Sequence, residues 1–473
     1  MYLLTKSKFL IGLKCLRHLW TVFHEPDKLP ENSVSAKFRM EQGNLVGELA
    51  KKCFPEGINL PTNFKENLTT TKKSLGNVLF EAGFLVDNLF ARVDILIPNN
   101  DSFDIVEVKS GTRVKNENLY DVAFQKFVLE KSGLKIKNCF LMHVNNEFIK
   151  KGEINPEHFF VKKNINEELN EISEKIQELI DKMKNVISKK TPPNINIKNG
   201  CSNKTNCPCE ACWNFLHEGH VLELYRGGQK SLDLLNEDVL QLIDIPNNIP
   251  LDFKQEIQVD CAKNNKSHIN VKNINMFLQK LKEPVYYLDF ETFMLAIPVF
   301  ENTGPYQKIP FQYSLHVEKE GKIEHFEFLA RTGDQRKEFL EHLKKVLGEK
   351  GSIIVYNQSF EKGALKELAE SFSEYKEWVE KVNKRVVDLL VPFRNFDYYN
   401  PKQHGSASIK AVLPAITGKS YEGLEIADGD TASISFLEKG EDEIIRKHLL
   451  EYCKLDTEAM VWIVKELRKS VNK

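Results

Sequence analysis

The chain has 473 residues, more than one ordinary core accommodates, so two or three domains are expected. At 41% hydrophobic and 28% charged, it has the composition of a globular chain able to build sizeable cores. A formal net charge of -1 excludes the global basic field of a passive nucleic-acid coating protein, and any such surface must be local or built around bound cations.

The N-terminal stretch MYLLTKSKFLIGLKCLRHLW carries Lys6, Lys8, Lys14 and Arg17 among its apolar residues. It lacks the uninterrupted apolar segment and small-residue cleavage site of a secretory signal, and no run of about 18 apolar residues appears in the chain. The expectation is a cytoplasmic protein with no membrane span. Cys201, Cys207, Cys209 and Cys212 fall close together, whereas Cys15 stands alone near the start. In a reducing compartment such a cluster points to metal or iron–sulfur ligation rather than disulfides. Cys53, Cys139, Cys261 and Cys453 read as core residues.

Residues 77–110 hold three strand candidates, with Pro98-Asn99-Asn100-Asp101 as the turn between the last two, and 117–131 reads as a helix. In ARVDILIPNNDSFDIVEVKS, alternation puts Glu107 and Lys109 on one face, and a turn centred near Asn100 brings Asp94 opposite Glu107. Two facing carboxylates repel unless a cation lies between them, and hard oxygen ligands suit Mg²⁺ or Mn²⁺. Such an ion polarises a phosphate and lowers the pKa of a bound water. Lys109 would position that water or offset phosphate charge. The apolar neighbours Val93, Ile95, Ile105, Val106 and Val108 argue against a merely solvated hairpin, because unpaired charge between buried faces is costly.

These residues resemble the PD-(D/E)XK nuclease superfamily, in particular its RecB-like branch that includes CRISPR-associated exonucleases with an iron–sulfur cluster. The resemblance implies a restriction-endonuclease-like α/β fold, with Asp94 and Glu107 binding the metal, Lys109 beside them, and Gln125 in YDVAFQKFVLE as the helix glutamine. Leu129 stands where the family often has a Tyr. Gly43 to Gly47 lacks the family's metal-binding His, leaving Glu81 on the preceding strand, or the adjacent Glu48, to supply a ligand. The resemblance also implies a 4Fe–4S cluster on Cys15, Cys201, Cys207 and Cys212. The extra Cys209 keeps zinc on Cys201, Cys207, Cys209 and Cys212 open as the alternative.

From Asn164 to Ser188 apolar residues recur at helical spacing, and Thr191-Pro192-Pro193-Asn194 stops the pattern. Residues 216–280 read as a helical linker region. A second α/β pattern begins at Pro284, with strands near 285–291, 311–317, 323–329 and 352–356 and helices near 334–347, 361–372 and 441–468. The strand VYYLDFETF puts Asp289 and Glu291 on one face, Glu361 begins a helix after SIIVY, and Tyr452 and Asp456 share one side of the last helix. Four acids meeting at one place form a two-metal centre.

In order and spacing these motifs resemble the DEDD 3′–5′ exonucleases of the RNase H-like fold, in the variant with a catalytic Tyr. Asn357, Phe360 and Glu361 match the second motif, with Glu in place of Asp. Asp388 and Gly405 to Pro414, which include Lys410, further resemble an uncharacterised bacterial domain family often fused behind RecB-like nucleases. The expected architecture is therefore α/β in two domains: a RecB-like domain over 1–215, the linker region over 216–280, and an RNase H-like domain over 281–473. The expected activity is metal-dependent hydrolysis of DNA, single-stranded or from its ends, with RNA open. A helicase partner or a role in repair or defence follows from the resemblance alone. The alternative is a nucleic-acid-binding accessory protein with one or both sites inactive. No phosphate-cradling glycine loop for an ATPase is present.

Overall fold

The computed structural model describes residues 2–194, 197 and 207–472. Helices and strands are mixed, and among the described residues the strands form three sheets. Among the described residues no helix is long and apolar enough to cross a membrane. The chain divides into two compact units, Met1–Trp213 with Leu295–Tyr306, and Asn214–Met294 with Gln307–Lys473.

Unit 1 contains β1 (Leu4–Thr5), β2 (Ile58–Asn59), β3 (Leu79–Val86), β4 (Leu89–Asn99), β5 (Ser102–Lys109), β6 (Ile136–Val144) and β7 (Phe160–Asn164). They form one sheet in the order β2-β3-β4-β5-β6-β7, with β1 beside β4. Tight turns join β3, β4 and β5 because Asp87, Asn88 and Asn100 accept the left-handed backbone such turns require. The helix Asn116–Lys131 then carries the chain over to the parallel strand β6. Both faces of the sheet are covered. Ile105 packs with Phe9, Phe124 and Ile176 of three helices, whereas its neighbour Val106 packs with Val46 and Ala50 of the helix Val34–Lys51. Ala296, from the second stretch of this unit, completes that latter core.

Unit 2 contains β8 (His268–Ile269), β9 (Val285–Phe293), β10 (Ile309–Lys319), β11 (Lys322–Leu329), β12 (Ser352–Val355), β13 (Val386–Asp388) and β14 (Tyr398–Tyr399). Its main sheet runs β11-β10-β9-β12-β13, antiparallel as far as β9 and parallel beyond it, while β8 and β14 pair separately. Tyr286, Leu288 and Phe290 of β9 enter the core under the helices Arg336–Val346, Gln358–Ser371 and Lys376–Arg385. Alternation therefore turns Asp289 and Glu291 to the opposite face, where the helix Glu443–Ser470 lies against β9 and β10. Residues 216–280 fall in this unit and hold the helices Gly228–Asn236, Phe253–Asn264 and Val271–Leu278.

Candidate active sites

In unit 2, central strand β9 brings Asp289 and Glu291 to the buried face under the last helix. Leu449, Tyr452, Cys453, Asp456, Thr457 and Met460 recur at helical spacing on that helix's buried side. Asp289, Glu291 and Cys453 each offer a ligand atom, all within 4.8 Å of one another. Glu361, in the first turn of Gln358–Ser371, and Asp456 join Glu291 as the three acids whose charges act on Asp289.

Burial and the neighbouring acids push Asp289 and Glu291 well above the usual carboxylate range, with Asp456 foremost among those neighbours. Burial likewise pushes Glu361 up to about 8 and Asp456 up to about 6. Lys410 beside Glu291 and Asp456, and Lys308 near Glu361, offset this only in part. Like charges about 4 Å apart repel by about 4 kcal/mol at an effective dielectric near 20, so the fully ionised cluster needs further positive charge. One Glu361 oxygen, Oε2, is buried without a hydrogen-bond partner among the described residues. The donor set would suit a divalent cation on Asp289 and Glu291, with Glu361 and Asp456 close enough to act on them but outside the group within 4.8 Å.

Two aromatic hydroxyls border the acids. Tyr421 donates to Asp456 Oδ1 at 2.6 Å, and the Tyr452 hydroxyl lowers the same carboxyl. Lys410 Nζ donates to the Ala427 carbonyl at 2.5 Å and lies 5.7 and 5.8 Å from the two ring centres. Asp388 accepts the backbone N–H groups of Asn357 and Leu390, which holds the turn before Glu361. Tyr421 and Cys453 have no signal in the sequence as site residues, since only the fold brings them to the acids.

In unit 1, the β4–β5 ladder pairs Ile95 with Val106, and its continuation puts Asp94 across from Glu107. Asp94 Oδ2 accepts the Val108 N–H at 2.8 Å. Glu107 receives Lys109 Nζ at 2.6 Å and Gln125 Nε2 at 2.7 Å. Gly47, Glu48, Lys51, Glu81, Asp94, Glu107 and Lys109 are among the residues lining a cavity of about 350 Å³. Glu81 lies across from Asp94, between the pairs Phe80–Ile95 and Ala82–Val93, and has a left-handed φ of 62°. Strained backbone at a non-glycine residue clusters at functional sites.

Two residues here escape the sequence reading. Lys6 Nζ lies 2.9 Å from Glu107 Oε1 and 3.8 Å from both Asp94 Oδ1 and Asp121 Oδ1. Asp121 also accepts Lys109 at 2.6 Å and Gln125 at 3.0 Å. Burial opposes ionisation of Glu107, but Lys109 and Lys6 outweigh it and hold the carboxyl well below its usual range. Burial and Glu107 push Asp94 up to about 7. Both Glu107 oxygens are thus engaged, and an ammonium occupies the place between the acids where a metal would bind. As arranged, Lys6 competes with a divalent cation for Glu107, while Glu81 and Asp94 line the cavity beside it.

Among the cysteines, burial pushes the Cys209 thiol up to about 12, with Cys207, Cys212 and Cys15 contributing. Cys209 therefore lies near Cys207, Cys212 and Cys15, although among the described residues no three cysteine sulfurs lie within 4.8 Å of one another. Cys15 also caps the helix Leu16–His24 through its sulfur. Cys201 lies outside the described residues.

Residues 286–408 match the family model described as Domain of unknown function (DUF2779). The DUF2779 match takes in Asp289, Glu291, Glu361 and Asp388 but ends before Tyr421, Tyr452, Cys453 and Asp456. The chain is also 29% identical over 231 residues to an uncharacterised protein of Mycoplasma pneumoniae, covering 43% of this chain and 35% of that protein. It is 30% identical over 224 residues to an uncharacterised protein of Mycoplasma genitalium, covering 41% of this chain and 33% of the relative. An uncharacterised protein of Ureaplasma parvum is 30% identical over 212 residues, 42% of this chain and 29% of its own. The chain spans about a third of the length of these curated relatives.

Proposed function

We propose that this protein is a metal-dependent nuclease whose active site is the four-acid cluster of unit 2. The supporting observation is the convergence of Asp289, Glu291, Glu361 and Asp456 at one buried place with too little positive charge and one orphaned Glu361 oxygen. A bound Mg²⁺ or Mn²⁺ would neutralise phosphate charge and lower the pKa of a water ligand. The residues' own tasks follow from their positions. Tyr421 fixes one Asp456 oxygen by donating to it. The Tyr452 hydroxyl, on the same side of the helix, is placed to orient an attacking water, and Lys410 adds positive charge for a phosphate. On this reading unit 2 is an RNase H-like exonuclease domain of the DEDD type, and its substrate is single-stranded DNA or DNA ends, with RNA as the other candidate.

For unit 1 the reading is a RecB-like PD-(D/E)XK fold, with Cys15, Cys201, Cys207 and Cys212 holding a 4Fe–4S cluster, or zinc on Cys201, Cys207, Cys209 and Cys212 as the alternative. The position of Lys6 favours the second functional reading there, a site that guides nucleic acid without cutting it. Cleavage of end-labelled single-stranded DNA with Mn²⁺ or Mg²⁺ tests the assignment, comparing the unmodified protein with Asp289→Ala and Lys109→Ala. Loss of cleavage in Asp289→Ala is expected. Loss in Lys109→Ala alone moves the active site to unit 1, and no cleavage of DNA or of a parallel RNA by the unmodified protein overturns the nuclease reading.

A further inference from the structure

The thiol of Cys453 would have no part in a carboxylate-only metal centre, yet it lies among the acids. Its Sγ is 3.7 Å from Asp289 Oδ2, and it shares the 4.8 Å group with Asp289 and Glu291. The side chain is fully buried on the last helix, one residue from Tyr452 and three from Asp456. Independently, the unpartnered Oε2 of Glu361, a side chain only 2% exposed, belongs to a carboxylate whose charge is felt by both Asp289 and Glu291.

Geometry discriminates between ions. A tetrahedral ion with sulfur at about 2.3 Å and oxygen at about 2.1 Å separates the two ligand atoms by about 3.6 Å. That is the spacing already present between Cys453 and Asp289. Mg²⁺ takes oxygen ligands in an octahedron and gains nothing from sulfur. A thiol hydrogen-bonded weakly to Asp289 is the plain alternative, and it requires no ion.

We propose that Asp289, Glu291 and Cys453 form a mixed carboxylate–thiolate position that takes a thiophilic divalent ion of the zinc class. The inference rests on the reading of unit 2 as a cation site and names the class of ion for one of its positions. Binding releases the thiol proton to solvent, as a thiolate ligand requires.

The test uses Cd²⁺ alone as the probe, titrated into the full chain without nucleic acid and followed by thiolate-to-metal charge-transfer absorption. Cysteines in unit 1 give a background common to all variants, so the readout is the difference between proteins. In Cys453→Ser the contribution of one thiolate is expected to vanish. In Asp289→Asn that contribution is expected to remain but to need at least tenfold more Cd²⁺. A Cys453→Ser spectrum identical to the unmodified protein overturns the proposal. Should that variant not fold, an unchanged midpoint in Asp289→Asn overturns it instead. A Cd²⁺ signal without DNA cleavage upholds the sulfur ligand while the nuclease reading fails, and cleavage without the signal does the reverse.

Discussion

Lys6 and Glu107 are 101 residues apart in sequence, yet the Lys6 ammonium donates to Glu107 Oε1 at 2.9 Å. The pairing of β1 with β4 starts the following helix beside the acids, so a residue from the first turn of the chain supplies a cation to a strand hairpin. An internal ammonium and a bound metal compete for the same oxygens.

Replacing Lys6 with Met should therefore do two opposite things. Without metal, Asp94, Glu107 and Asp121 keep only Lys109, and breaking a largely buried pair costs about 3 kcal/mol, roughly 6–12 °C in melting temperature. With Mn²⁺ present the loss should be largely restored, and Mn²⁺ binding at unit 1 should tighten at least tenfold. Thermal melts with and without Mn²⁺ decide this, and a variant that melts as the unmodified protein does would show that Lys6 is not the resident cation.

The acids of unit 2 give the cation-free protein a pH dependence of definite sign. Glu361 is pushed up to about 8 and Asp456 to about 6, both above their values in an unfolded chain. Between about pH 4 and pH 8 the folded state therefore binds more protons than the unfolded state, and stability falls as pH rises. Melting in a chelator should drop by several degrees from pH 5 to pH 8, and Mg²⁺ or Mn²⁺ should flatten the slope. A slope of the opposite sign would mean the acids are not desolvated together.

How much of this was readable from the sequence follows from the reach of each signal. Alternation in VYYLDFETF and in the β4–β5 hairpin fixes which side chains share a face, and the apolar spacing of the last helix puts Tyr452 and Asp456 together. Glu107 and Asp289 therefore stand out from the sequence alone. Lys6, Asp121, Tyr421 and Cys453 do not, because each acquires its meaning from a tertiary neighbour. Tyr421, for example, meets Asp456 across 35 residues. Cys453 is a core residue as its burial suggests, but that core is lined by acids. Nor do the helices Lys376–Arg385 and Ile409–Thr417 stand out in the sequence. The first is mainly charged, and the second contains Pro414.

Tyr421→Phe removes the hydroxyl that donates to Asp456 at 2.6 Å and helps hold that carboxyl down. The acidic limb of the pH–rate profile for DNA cleavage should move to higher pH, with kcat/KM down about tenfold at neutral pH, the range of one lost hydrogen bond to a charged group. A uniform drop with an unmoved limb would instead indicate a packing defect.

Glu81 combines a left-handed backbone with a carboxyl that burial pushes above its usual range. Glu81→Gly relieves both and should raise the melting temperature by about 2–4 °C, equivalent to about 1 kcal/mol. A lower melting temperature would mean that the carboxylate is anchored by partners that offset its strain.

Cys15→Ser should abolish the iron of anaerobically purified protein, whereas Cys209→Ser should retain it. Loss of metal in Cys209→Ser with retention in Cys15→Ser would instead mean zinc on Cys201, Cys207, Cys209 and Cys212.

The division of the chain also bears on its synthesis. Unit 1 lacks Ala296 of its core and Glu301, which pairs with Lys150 at 2.5 Å, until Leu295–Tyr306 has been made. Domains usually fold in order as they leave the ribosome, but here the first unit must wait, unfinished, while residues 214–294 of the second are translated. A chaperone captured on the nascent chain would be found on stalled lengths between those two points, since neither unit corresponds to one uninterrupted stretch of the chain.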